Sequence, residues 1–219
     1  MTEPLTRLVL LSPHRVDAGQ ADALIASLRD ALSAGDAAAV ILRLAPSDER
    51  SLVALVKRIA PATQEAGAAL VLACAGFSGD LVSVAARGGA DGVHLDKPAE
   101  ADLRDLRGRL RDGRILGAGG IETRHAAMDA GEAGIDYLMF GGLYPDGATP
   151  DPEGVRARAA WWAEIFETPC IAVAGAEAEV AALVATGAEF VGLESGIWLP
   201  GAEAVARAQA LIARSGETP

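Results

Sequence analysis

Three times along this chain the same phrase recurs: a glycine, a small or apolar residue, an acid, and then a short apolar run. The copies are Gly89-Ala90-Asp91-Gly92-Val93-His94-Leu95, Gly134-Ile135-Asp136-Tyr137-Leu138-Met139-Phe140 and Gly187-Ala188-Glu189-Phe190-Val191-Gly192-Leu193. A glycine that ends a helix, followed at once by a run of strand length, is the junction that a repeated helix-to-strand unit needs. The rest of the chain follows the same grammar. Apolar runs at residues 8–11, 39–44, 69–73, 92–95, 114–118, 137–140, 170–174 and 190–193 read as eight strands. Between them lie segments at 21–34, 49–66, 80–87, 101–111, 124–133, 155–166, 177–185 and 202–214, most with apolar residues three and four apart, which read as helices.

Eight alternating units in 219 residues predict an α/β fold, a single-domain (β/α)8 TIM barrel spanning residues 1–219, with 1–4 and 215–219 as loose termini. An open doubly wound sheet is the competing architecture, and eight regular units weigh against it. The acids Asp91, Asp136 and Glu189 fall at strand starts, the end of a barrel that serves stability, so they read as structural. Function belongs to the residues just after each strand.

Composition narrows the classes of partner. A formal net charge of −11 repels the phosphate backbone of nucleic acid and the surface of an anionic membrane. The apolar runs fall far short of the ~20 residues that cross a bilayer. No basic stretch leads into a long apolar segment after Met1, and the expected location is the cytoplasm. Cys74 and Cys170 lie in apolar runs without the spacing of a metal site or disulfide scaffold, and read as buried thiols. A small phosphorylated ligand remains compatible. The aromatic cluster Trp161, Trp162, Ile165 and Phe166 reads as helix packing, part of it available to a subunit interface in a homo-oligomer.

Several strand ends carry chemistry. Barrels often hold phosphate on the loops after strands seven and eight, where Gly175 and Ser195-Gly196 stand; a single glycine there would be read as a turn. Gly117-Ala118-Gly119-Gly120 permits close backbone approach but lacks the spacing of a dinucleotide fingerprint. Arg43 stands in an apolar run and needs a partner, either a phosphate gripped by its planar fork or a neighbouring carboxylate. His94 and Asp96 share one side of a strand and are material for a general base or a metal ligand; a buried histidine held by one hydrogen bond is the commoner outcome. His14 and His125 show no partner and read as exposed. Lys57 and Lys97 are the only lysines, and an imine-forming mechanism would have to use Lys97, beside which Asp96 and Glu100 keep an ammonium charged.

Gly89 to Leu95 resembles the signature of thiamine phosphate synthase and the related thiazole tautomerase. Residues 136–145 resemble that family's sixth strand and its loop, and Glu194-Ser195-Gly196-Ile197 its closing phosphate loop. The likeness runs in order from about Val40 to Ile197. It implies a (β/α)8 barrel that joins a pyrimidine pyrophosphate to a thiazole phosphate with Mg2+, releasing pyrophosphate. On that resemblance Arg43 and His94 are the catalytic candidates, Gly119, Gly141, Gly142, Gly175, Ser195 and Gly196 hold substrate or phosphate, and Asp80 and Asp96 are the metal ligands.

The sequence also departs from the family's pattern. Ala45 replaces a lysine, Ala99 the second metal-binding aspartate, and Gly119 a serine; residues 146–149 replace a Thr-x-Thr-Lys segment; and the tautomerase histidine is absent near Gly142. The alternative to a synthase is therefore a non-catalytic phosphate-binding or regulatory barrel. A lyase or isomerase acting on a sugar phosphate would require Lys97 or His94.

Overall fold

The computed structural model describes residues 6–110, 113–142 and 148–215. The outer termini, with most of both segments expected to be loose, and residues 143–147 of the sixth loop lie outside the described residues. Eight parallel strands, β1 (Arg7–Leu11), β2 (Ala37–Arg43), β3 (Ala69–Ala73), β4 (Gly92–Asp96), β5 (Ile115–Gly119), β6 (Tyr137–Phe140), β7 (Cys170–Ala174) and β8 (Phe190–Leu193), close in sequence order into a barrel. Around them lie α1 (Ala21–Ala34), α2 (Glu49–Gln64), α3 (Leu81–Gly88), α4 (Glu100–Arg109), α5 (Arg124–Glu132), α6 (Pro152–Ile165), α7 (Val180–Val184), α8 (Ser195–Trp198) and α9 (Glu203–Ser215). The open doubly wound alternative is ruled out by the β1–β8 pairing, which starts at Arg7 with Phe190.

Alternation along each strand sends one side chain to the helices and the next to the barrel axis. Leu8, Leu10, Val40, Leu42, Leu70 and Leu72 face outward into the larger core. Val9, Leu11, Ile41, Val71, Ile171 and Val173 form a second buried cluster, the filling of the barrel. Helix starts follow capping chemistry: Asp48 accepts from the Ser51 N–H at 3.0 Å, and Asp151 from the Gly154 N–H at 2.9 Å. That cap, with Pro152 at the helix start, begins α6 three residues before the apolar periodicity does.

The strand-start acids are structural. Oδ2 of Asp91 accepts the Leu70 N–H at 2.7 Å, Oδ2 of Asp136 the Leu116 N–H at 2.7 Å, and Oε2 of Glu189 the Cys170 N–H at 2.9 Å. In each case the acid before an even strand satisfies a donor at the start of the odd strand beside it. Asp36, before β2, instead pairs with the Arg7 side chain on β1 at 2.7 Å. Gly89, Gly134 and Gly187 precede the three repeated acids with φ of 84°, 84° and 81°, which a residue with a Cβ adopts only with strain.

Beyond such shifts of boundary, two elements differ in kind from the sequence reading. The segment expected as one helix at 177–185 begins with a tight 3-10 turn, Glu177–Glu179, before α7. The short α8 was not anticipated; four residues carry no readable period. The aromatic cluster packs much as expected: Trp162 is fully buried and donates from Nε1 to the Thr168 carbonyl at 2.7 Å, while Ile165 is 59% exposed. Cys170 is buried and Cys74 half-buried, and burial pushes their thiols up to about 12 and about 11. No helix among the described residues is long and apolar enough to cross a membrane.

Candidate functional site

At the C-terminal mouth of the barrel two buried polar arrangements meet. Arg43, the last residue of β2, turns its guanidinium inward. It donates from Nε to the Ser12 carbonyl at 2.7 Å, and from its two terminal nitrogens to Oε1 and Oε2 of Glu194 at 2.9 and 2.7 Å. A terminal nitrogen also meets the Ser12 carbonyl, and another lies 3.1 Å from Nε2 of His14. The Ser12 hydroxyl oxygen accepts the Arg43 backbone N–H at 2.9 Å. Of the two partners open to Arg43 in the sequence, the structure shows the carboxylate. His14, expected to be exposed, is half-buried against this pair, whereas the side chain of His125 is 86% exposed.

The second arrangement runs through β4. His94 is 2% exposed; its Nδ1 lies 2.8 Å from the Tyr137 hydroxyl and its Nε2 3.3 Å from Oδ1 of Asp96. Burial, with the charges of Asp96 and Asp136, holds the Tyr137 phenol well above its ordinary pKa. Tyr137 is therefore the donor to Nδ1, which leaves Nε2–H to donate to Asp96. Burial pushes the Asp96 carboxyl upward, but the His94 hydrogen bond and the nearby positive charge of Arg43 outweigh it and hold the group below its usual range.

Glycines make room for this chain. A Cβ on Gly117 would sit 2.0 Å from the Tyr137 ring, and one on Gly119 would sit 2.8 Å from Nε2 of His94. Gly141 and Gly142, after β6, adopt φ of 88° and 85°, and Gly142 lies against Glu194.

At the ends of β7 and β8, the Gly175 N–H donates to Oε2 of Glu179 at 2.8 Å, and the Ser195 N–H to Oε2 of Glu194 at 3.3 Å. Gly196 is exposed, with open space where a Cβ would point. A cavity of about 20 Å³ reaches Gly141, Gly142, Gly175 and Glu194, and one of about 30 Å³ reaches His14, Arg43 and Asp96. A wider cleft of about 510 Å³ opens between the loops after β3 and β4, lined by Phe77, Asp80, His94, Asp96, Lys97 and Arg109.

Over residues 8–197 the sequence matches the family described as thiamine monophosphate synthase. The thiamine-phosphate synthase of Rhodospirillum centenum is 35% identical over 88% of this chain and 89% of that protein; that of Hyphomonas neptunium is 35% identical over 89% and 87%. The chain belongs to the thiamine monophosphate synthase family. The solved thiamine phosphate pyrophosphorylase of Pyrococcus furiosus shares the fold, with a TM-score of 0.71 at 21% identity and 99% of each chain covered.

In this thiamine monophosphate synthase family barrel, the carboxylates suggested for Mg2+ already have partners within the chain. Asp80 caps α3, with Oδ1 accepting the Val82 and Ser83 N–H groups at 3.1 and 3.3 Å, while Oδ2 pairs with Arg109 at 2.5 Å. Asp96 is held by His94. Among the described residues no three His, Cys, Asp or Glu side chains converge to hold a metal. Asp80 and Asp96 line one cleft but do not fit a Mg2+ site built by the protein alone.

Sequence reasoning placed Glu194 at the end of β8 without pairing it to Arg43, and it did not single out Tyr137 or Glu179. A signal existed for the first: Arg43 and Glu194 are opposite charges at the ends of two apolar strands, and a barrel brings all strand ends together. For Tyr137 the clue is complementary size, a large ring on β6 against Gly117 on β5. Glu179 carries no sequence signal distinguishing it from Glu177, which turns outward to Arg207.

Proposed function

We propose that this protein works in thiamine biosynthesis as a thiamine phosphate synthase, joining a pyrimidine pyrophosphate to a thiazole phosphate at the C-terminal mouth and releasing pyrophosphate. The observation that carries the reading is the family match over residues 8–197. Gly175, Ser195 and Gly196 would receive the thiazole phosphate on backbone N–H groups, with Gly119, Gly141 and Gly142 allowing close approach. Arg43 would supply positive charge to the departing pyrophosphate, and His94 would orient Asp96. A cytoplasmic location and a homo-oligomer belong to the same reading.

A second reading, a small-phosphate-binding barrel without turnover, is favoured by one feature: Arg43 is already neutralised by Glu194. The two readings differ in their demand for Mg2+, since charge stabilisation of a leaving pyrophosphate normally recruits a divalent ion. Calorimetric titration with each substrate, with and without Mg2+, followed by a product assay, separates them. Thiamine phosphate formed at a rate lost in Arg43→Ala supports the synthase. Tight binding of thiazole phosphate without product supports the binding barrel. No binding of either compound rejects the thiamine reading.

A further inference from the structure

The loop that would receive a phosphate already holds an anion belonging to the chain itself. The Gly175 N–H points to Oε2 of Glu179 at 2.8 Å, four residues further along the same loop. The Ser195 N–H, the matching donor after β8, is turned to Oε2 of Glu194 at 3.3 Å. A carboxylate oxygen on a backbone N–H makes the same charge-assisted contact as a phosphate oxygen. The small cavity between them meets Gly141, Gly142, Thr149, Gly175, Glu179 and Glu194, and no lysine or arginine lines it among the described residues.

The two carboxylates are held differently. Glu194 is locked by Arg43 and is 4% exposed. Glu179 is half-buried, and among the described residues no cation pairs with it. Glu177, two residues earlier in the same turn, instead faces Arg207 with two hydrogen bonds at 2.6 and 2.9 Å. Moving the Glu179 side chain off Gly175 breaks that one hydrogen bond and, among the described residues, no ion pair. A second cleft of about 200 Å³ between α6 and α7 lies on its other side, lined by Glu153, Arg156 and Glu179 itself. Arg156, paired there with Glu153 at 2.6 Å, offers a displaced carboxylate a cation.

We infer that Glu179 is the residue that sets phosphate affinity at this site, an internal anion that an incoming phosphate must displace from Gly175 toward the α6–α7 cleft. The inference rests on the proposed function insofar as that reading seats the ligand's phosphate on the loops after β7 and β8. It adds a specificity rule: wild-type protein discriminates against small dianions, and a phosphate binds well only when the rest of its ligand contributes contacts.

Inorganic phosphate is the probe, because it has no other part. Titrate full-length wild type, Glu179→Gln and Glu179→Ala by calorimetry, and follow the Gly175 amide resonance by 15N NMR. Removing the competitor should raise phosphate affinity roughly tenfold in Glu179→Ala, the scale of one charge-assisted hydrogen bond that no longer has to be broken, and less in Glu179→Gln. Phosphate should then shift the Gly175 amide in both variants. Equal or weaker binding in the variants overturns the inference, as does binding that leaves the Gly175 amide unmoved or no binding to any of the three proteins. Thiazole phosphate titrated in parallel separates the two ideas: its equal binding to all three proteins rejects the role of Glu179 and leaves the proposed function standing. Its failure to bind any of them, with inorganic phosphate following Glu179 as expected, rejects only the proposed function.

Discussion

Arg43 and Glu194, 151 residues apart in the chain, meet at the barrel mouth as a two-pronged ion pair with side chains 8% and 5% exposed. Removing one partner from such a pair leaves an uncompensated buried charge, which costs more than the pair contributes. Glu194→Ala should destabilise the barrel by about 3–5 kcal/mol, while replacing both residues by apolar ones of similar size should bring stability back near the wild-type value. Denaturant unfolding of the three proteins checks this; equal loss in single and double variants would contradict it.

Gly119 is where family resemblance and local packing collide. A serine there would bring its Cβ to 2.8 Å from Nε2 of His94 and 3.1 Å from the Met139 methyl. Gly119→Ser should cost roughly 1–3 kcal/mol, the usual penalty for overpacking. Combined with His94→Ala, the serine should cost clearly less than the sum of the single changes, because the clash is with the ring. A double-mutant cycle on thermal unfolding measures this coupling.

The depressed pKa of Asp96 makes a pH prediction with a definite sign. A carboxyl whose pKa is lower folded than unfolded adds stability that is fully present above the unfolded value, about 3.9 for Asp, and disappears as pH falls through the lower folded value. Asp96→Asn should therefore fall below wild type most clearly near neutral pH, with the gap closing in acid. Unfolding midpoints measured from pH 7 downward test it, and a gap that widens in acid would refute the assignment.

The strand-start acids predict the opposite pattern, stability without function. Asp91→Ala strips an acceptor from the Leu70 N–H and from the Gln64 side-chain amide at 2.9 Å. A loss of about 1–3 kcal/mol is expected from the orphaned backbone donor. Affinity for any ligand at the mouth should not change, since Asp91 sits at the far end of β4. Calorimetry on a folded Asp91→Ala sample decides whether the two ends are independent.

Much of the architecture was legible from residue order alone. The apolar runs read as β3, β6, β7 and β8 match the structure end to end, and α1 does so at residues 21 and 34. The Gly-x-acid phrase marked three of the strand starts, because a helix-ending glycine and a donor-satisfying acid act over a few residues. Gly175 and Ser195 could likewise be placed at strand ends by counting units.

What each group at those ends touches was decided only by the closed barrel. Arg43 pairs with Glu194, His94 meets Tyr137, and Asp80 grips Arg109, each choice depending on which side chains tertiary packing brings within about 3 Å, whereas the His94–Asp96 contact and the capping of α3 by Asp80 are local. The local apolar run determines that a strand is buried, here on both faces. Whether a buried charge there meets a carboxylate of its own chain or waits for a ligand depends on strands far away in sequence, because the desolvation of a charge is settled by whatever partner the fold delivers.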